Sequence, residues 1–306
     1  MPIFEQLIPE NGFVIAEPAC AHEGDYQRLV QLIDCAAEAG ASIIKFQIFT
    51  TEERALKRHR EWEIFSRLEI KENVWTKAVQ HARKHKLTVF ADVFGEESLS
   101  IAQRLNVDGY KIHSEDLLNS YFVSKVASLD KILLISIGGA HRVELFNLLN
   151  FLKSKDQLKK AILMVGVQTF PTSVNAHCLS EITDLIEKYS SYGVKIGFAD
   201  HISGDQEESI IIPFMALSRG ACVIEKHYTI NREDKWIDYH SSLNKEDFKK
   251  FISYIRNLSP LLKPFGPVHP SEKEYRKMFK KTVVSARDIS KDQPIDIEDI
   301  VFKKDT

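Results

Sequence analysis

Cysteine is scarce in this chain. Cys20, Cys35, Cys178 and Cys222 are the only four in 306 residues, and no two stand at CxxC or metal-knuckle spacing. That argues against a disulfide scaffold or a thiolate metal centre and suits a reduced, cytoplasmic protein, with Cys178 and Cys222 read as packing residues. No apolar run approaches the roughly 20 residues of a membrane span. No charge sign dominates: 41 Lys and Arg against 43 Asp and Glu leave a net −2, so nothing invites nucleic acid or an anionic membrane. The opening "MPIFEQLIPENGF" has no basic segment leading into an apolar core, so no signal peptide is expected. No glycine-rich nucleotide turn follows the first apolar run, which weakens a doubly wound open sheet, the alternative fold.

What is present is the composition of a soluble globular protein, with 44% hydrophobic and 27% charged residues. Short β-branched or apolar runs alternate with longer amphipathic ones. The expected strands are "FVIAE" (13–17), "SIIKFQ" (42–47), "TVFAD" (88–92), "GYKIH" (109–113), "ILLIS" (132–136), "AILMVG" (161–166), "VKIGFA" (194–199) and "ACVIEK" (221–226). Between them lie helical patterns such as "YQRLVQLIDCAAEAG", with Leu29, Leu32, Ile33, Ala36 and Ala37 on one face and a closing Gly40. Strands apolar throughout, alternating with helices, imply a parallel sheet sheathed by helices. Eight such units predict a (β/α)8 TIM barrel over residues 1–262. "KPFGPVHPSEKEY", rich in proline, reads as a linker over 263–276. The remaining 277–306 holds two short strand-like runs and is too small for its own core.

In such a barrel the chemistry gathers at the strand ends. Those ends carry Glu17, His22, Lys45, Gln47, Asp92, Lys111, Ser114, Glu115, Ser136, Gln168, Asp200, His201, Glu225, Lys226 and His227. Lysines within apolar strands are costly unless they meet an anion. Lys45 and Lys111, with Ser114 and Ser136, make a pocket for a phosphate plus a carboxylate; alternatively the lysines pair with Glu17, Asp92 or Glu115. His201 and His227 follow successive strands and can converge on one divalent cation, although a lone histidine at a strand end is more often a hydrogen-bonded mouth residue.

The ordered set of strand ends resembles the sialic acid synthase family. "FVIAEPACAHEG…IIKFQ" is similar to its opening, "YKIHSED" to its Tyr-Lys-Ile-x-Ser-x-Glu, "GFADHISG" to its Tyr-Ser-Asp-His-x-x-Gly, and "VIEKHYTINR" to its Ile-Glu-Lys-His-Phe-Thr-x-Asp-Arg. "VVSARDIS" resembles the start of its antifreeze-like (SAF) domain, here short and incomplete. The resemblance implies metal-dependent condensation of phosphoenolpyruvate with an N-acetylated aldose, giving a nonulosonate plus phosphate, in a cytoplasmic homodimer. It assigns His201 and His227 to the metal, Mn²⁺ or else Mg²⁺ or Co²⁺. Lys45, Lys111, Ser114 and Ser136 go to phosphoenolpyruvate, and Glu17 and Glu115 to the reacting atoms. Gln47 and Asp238 go to the acceptor, and Lys281 stands where an arginine meets the sugar's N-acetyl group.

The sequence departs from the family pattern at Ala199 (for Ser), Asp92 (for Thr), "GVQTFP" with Gln168 and Phe170, "AHEG", and "IDYH". These departures keep open a different acceptor or donor on the same scaffold, as in an aldolase or a 3-deoxy sugar acid synthase. They also keep open a sugar-binding homologue without turnover.

Overall fold

The computed structural model describes residues 13–262 and 267–305. The signal-peptide reading of the first twelve residues and the start of the linker, 263–266, fall outside them. Eight parallel strands close into a barrel in sequence order: β1 Phe13–Glu17, β2 Ile43–Ile48, β3 Thr88–Val93, β4 Gly109–Ile112, β5 Ile132–Ser136, β6 Ala161–Val165, β7 Lys195–Asp200 and β8 Val223–His227. Each expected strand is present, displaced by at most two residues at either end.

The helices are α1 Tyr26–Ala39, α2 Thr51–Arg54, α3 Trp62–Leu68, α4 Glu72–Lys84, α5 Glu96–Arg104, α6 Ser120–Ala127, α7 Arg142–Ser154, α8 Ser180–Tyr189, α9 Glu208–Ser218 and α10 Lys245–Leu258. α1 shows how the sequence sets them. Asp25 caps its first turn by accepting from the Arg28 N–H, and Gly40 ends it at φ 84°, a left-handed conformation that favours glycine. Leu29, Leu32, Ile33 and Ala36 are buried on the face between these caps. They join a sheet-to-helix core with Ile44, Phe46, Val89 and Ile224, each large apolar side chain stabilising by about 1.5–3 kcal/mol.

A second core fills the barrel interior: Ile15, Ile43, Phe90, Ile132, Leu134, Ile162, Met164, Ala199 and Val223. Its strand neighbours must be small. A Cβ at Gly109 would lie 2.7 Å from the Phe90 ring, so Gly109→Val would push apart the floor on which the site rests.

The chain divides into two compact units, one ending at Leu262 and the other beginning at Lys263. In the second, α11 Glu272–Phe279 precedes an antiparallel pair, β9 Thr282–Ser285 with β10 Ile300–Lys303. α11 starts inside the segment read as a linker. The prolines stop at Pro270, and "EKEYRKMF" after them is free to wind.

Candidate functional site

Side chains alternate along a strand, so the barrel interior takes every second residue. β2 turns Ile43, Lys45 and Gln47 inward, β3 Phe90 and Asp92, β4 Gly109 and Lys111, and β8 Val223, Glu225 and His227. Ile43, Phe90 and Val223 belong to the apolar floor. The next form a charged layer, and the last face the mouth. The same alternation turns Asp200 and Lys226, register partners on β7 and β8, outward, where they form an ion pair buried outside the lumen.

The charged layer is paired within itself. Lys45, wholly buried, bonds to the Glu17 carboxyl, lies 2.5 Å from Asp92 Oδ2, and is 3.7 Å from Glu225 Oε2. Lys111 Nζ donates to Glu225 Oε1 at 2.6 Å. Burial pushes the Glu17 carboxyl up to about 8, against the pull of Lys45. At Glu225 burial also opposes charge, but Lys111 and Lys45 outweigh it and hold the carboxyl at about 2. Two ammoniums against three carboxyls balance when one carboxyl keeps its proton, and Glu17 is that one.

Above this layer opens a cavity of about 360 Å³. Lys111, Glu115, Gln47, Gln168, Asp238, His201 and His227 line it together, so most of the residues expected from sequence meet around one cavity. Four do not. Lys45 and Glu17 lie beneath, in the charged layer. The wall takes His113 and Glu115 where Ser114 was expected, and Gln168 where Ser136 was, with Gln168 Nε2 donating to Ser136 Oγ at 3.4 Å. Lys281 belongs to the second unit. Cys178 is exposed rather than packed, whereas Cys222 packs against the barrel interior.

His201 and His227 stand side by side, ring centroids 5.2 Å apart and tilted by 48°. Burial lowers the His201 ring to about 4 and His227 well below its ordinary value, with the neighbouring imidazole adding to the effect at His227. Both rings are therefore neutral at pH 7. The Val167 carbonyl, 3.1 Å from His201 Nδ1, can only accept, which puts the proton on Nδ1 and leaves the lone pair on Nε2. His227 keeps a buried Nδ1 without a hydrogen-bond partner among the described residues. Neutral, adjacent imidazoles with an unused ring nitrogen fit a borderline divalent cation.

Sequence reasoning missed Arg54. It sits in α2, in the loop after β2, and its guanidinium lies 4.0 Å from the Phe94 ring centroid, 4.6 Å from Phe65 and 5.3 Å from Phe49. Its Nε is 3.3 Å from Glu115 Oε1 on the cavity wall. Burial raises the Glu115 carboxyl above the usual range and Arg54 counters it, leaving a wall carboxyl suited to proton transfer. The Asp238 carboxyl is likewise raised by burial.

The NeuB family model matches residues 32–264. An N,N'-diacetyllegionaminic acid synthase of Campylobacter jejuni is 26% identical, over 92% of this chain and 87% of its own. A pseudaminic acid synthase of the same organism is 26% identical, over 94% and 85%. The crystal structure of an N-acetylneuraminic acid (sialic acid) synthetase from Leptospira borgpetersenii superimposes with a TM-score of 0.79 at 28% identity, covering 88% of this chain and 93% of the other.

Proposed function

The chain belongs to the NeuB family, and from that premise we propose that it condenses phosphoenolpyruvate with an N-acetylated aldose to give a sialic acid-type nonulosonate and phosphate. It is a sialic acid synthase-like enzyme. The observation that carries the reading is the convergence of the neutral His201–His227 pair, the Lys111–Glu225 pair and Glu115 on one cavity. A divalent cation held by His201 and His227, with Mn²⁺ the first to test, would act as a Lewis acid on the acceptor's open-chain aldehyde.

The chain's own residues do the rest. Lys111 supplies positive charge to the donor's phosphate and carboxylate, and Gln168, held by Ser136 behind it, offers a hydrogen bond from the same cavity. Gln47 and Asp238, which line the same cavity, orient the acceptor. A C–C bond forms between the donor methylene carbon and the aldehyde carbon, and positive charge develops at the enol-ether carbon. Glu115, its proton affinity raised by burial, takes a proton from the water that adds there. The C–O bond to phosphate then breaks, phosphate leaves with its bridging oxygen, and a ketone remains. Glu17 lies below with its proton and steadies Lys45.

Lys45 favours a second reading. It is sealed among carboxyls below the cavity, and the residues at 92 and 199 offer the donor phosphate no hydroxyl. A homologue that binds sugar without turnover, or one that takes another donor, would look the same. We also assign 277–306 to an antifreeze-like segment contributing Lys281 and expect a homodimer, which light scattering would check. The deciding experiment offers a panel of aldoses with phosphoenolpyruvate and Mn²⁺ and reads released phosphate and product mass. Phosphate release that needs both substrates supports the synthase. Thermal stabilisation by an aldose with no phosphate release under any divalent metal supports the binding protein.

A further inference from the structure

α4 ends at Lys84 and β3 begins at Thr88, so the last turn of α4 lies at the end of the barrel where strands start, opposite the mouth. His81 in that turn and His85 at its C-cap, four residues apart, face the same way, with ring centroids 4.9 Å apart. α1 packs on α4 and brings Asp34 to them. Its Oδ1 is 2.7 Å from His81 Nε2 and 3.1 Å from His85 Nε2. Two imidazoles therefore aim the same nitrogen at one carboxylate oxygen, and all three atoms lie within 4.8 Å of one another.

We propose that Asp34, His81 and His85 bind a borderline transition-metal ion of the Zn²⁺, Ni²⁺ or Cu²⁺ class at a site separate from the mouth. Bonds of about 2.0–2.1 Å in a tetrahedral arrangement set ligand atoms about 3.3 Å apart, so the His81 nitrogen at 2.7 Å retreats from the oxygen by about 0.6 Å and the His85 nitrogen at 3.1 Å by about 0.2 Å. The three side chains are 26% (His81), 40% (His85) and 39% (Asp34) exposed, which leaves an entry path and room for water in the fourth position. Two imidazoles and one carboxylate bind zinc, nickel and copper ahead of manganese and magnesium. The occupied site ties α1 to α4 and stabilises the folded chain, because the unfolded chain has no such site to offer. A metal bound here raises thermal stability without taking part in chemistry at the mouth.

The test titrates Zn²⁺ alone by calorimetry into the full chain carrying His201→Ala and His227→Ala, and follows melting in parallel. One ion per chain should bind, with Tm rising by about 5 °C at a 100-fold excess over Kd. Adding Asp34→Asn or His85→Ala should weaken binding at least tenfold and remove the shift. Should the mouth variants not fold, the wild-type chain and its His85→Ala variant are compared directly. The wild type should then hold one more Zn²⁺ per chain, with Mn²⁺-dependent turnover equal in both. No ion bound, or binding that His85→Ala leaves unchanged, overturns the site.

Discussion

Lys111 of β4 and Glu225 of β8 belong to strands half-way round the barrel from each other, yet Nζ and Oε1 are 2.6 Å apart across the lumen. The pair closes the cavity from below. Lys111→Ala leaves the Glu225 carboxylate buried with Lys45 at 3.7 Å as its remaining cation. Stability should fall by about 3–5 kcal/mol in urea unfolding, because a buried charge loses its partner. Lys111→Met with Glu225→Gln should recover most of that loss. The KM for phosphoenolpyruvate should rise at least tenfold in both variants, since neither restores a cation facing the cavity. A stability loss under about 1 kcal/mol would place the pair in contact with solvent instead.

Asp92 controls Lys45. Its Oδ2 holds the ammonium while its Oδ1, also buried, has no hydrogen-bond partner among the described residues. Asp92→Thr removes one carboxylate from the layer and adds a hydroxyl, so Lys45 gains freedom toward an anion in the cavity. The KM for phosphoenolpyruvate should fall several-fold in Asp92→Thr and further when Ala199→Ser is added. An unchanged KM would make Asp92 a structural partner of Lys45 and nothing more.

The barrel was legible because parallel strands buried on both faces are written as near-continuous apolar runs, and all eight stood out. The height of each polar residue in the lumen was not. Lys45 and Lys111 look equivalent in sequence, "IIKFQ" and "GYKIH", but the stagger of the closed sheet sets Asp92 beside Lys111 in register and leaves Lys45 lower, opposite Phe90. The alternation did carry one unused signal. In "VIEKH" it sends Glu225 and His227 to the lumen and Lys226 out to Asp200. Arg54 left no local trace, because the rings that hold it come from three separate segments, at Phe49, Phe65 and Phe94.

Arg54 should show itself in the pH profile. It favours the charged form of Glu115 against burial, so Arg54→Met should move the acidic limb of kcat/KM to higher pH while the fold persists. Glu115→Gln should remove that limb and lower kcat by about 10²–10⁴. A limb that stays in place in Arg54→Met would mean that the arginine serves only the loop.

The charge states of the mouth and of the layer beneath it can be read from stability. His201 titrates near 4 in the folded chain and near its ordinary 6.5 when unfolded. Its folded value is depressed, so its contribution is present above pH 6.5 and is lost as pH falls through 4, an effect of about 3 kcal/mol. His201→Gln should therefore flatten the acid limb of a Tm–pH curve, and a limb as steep as in the wild type would mean that the ring is not buried neutral. Glu17 runs the other way. Its folded value of about 8 lies above the ordinary 4.5, so the stability it contributes is full below pH 4.5 and is lost as pH rises through 8. Glu17→Gln, which cannot ionise, should hold Tm level across that range while the wild type declines. A parallel decline in both would place the retained proton on a different group of the layer.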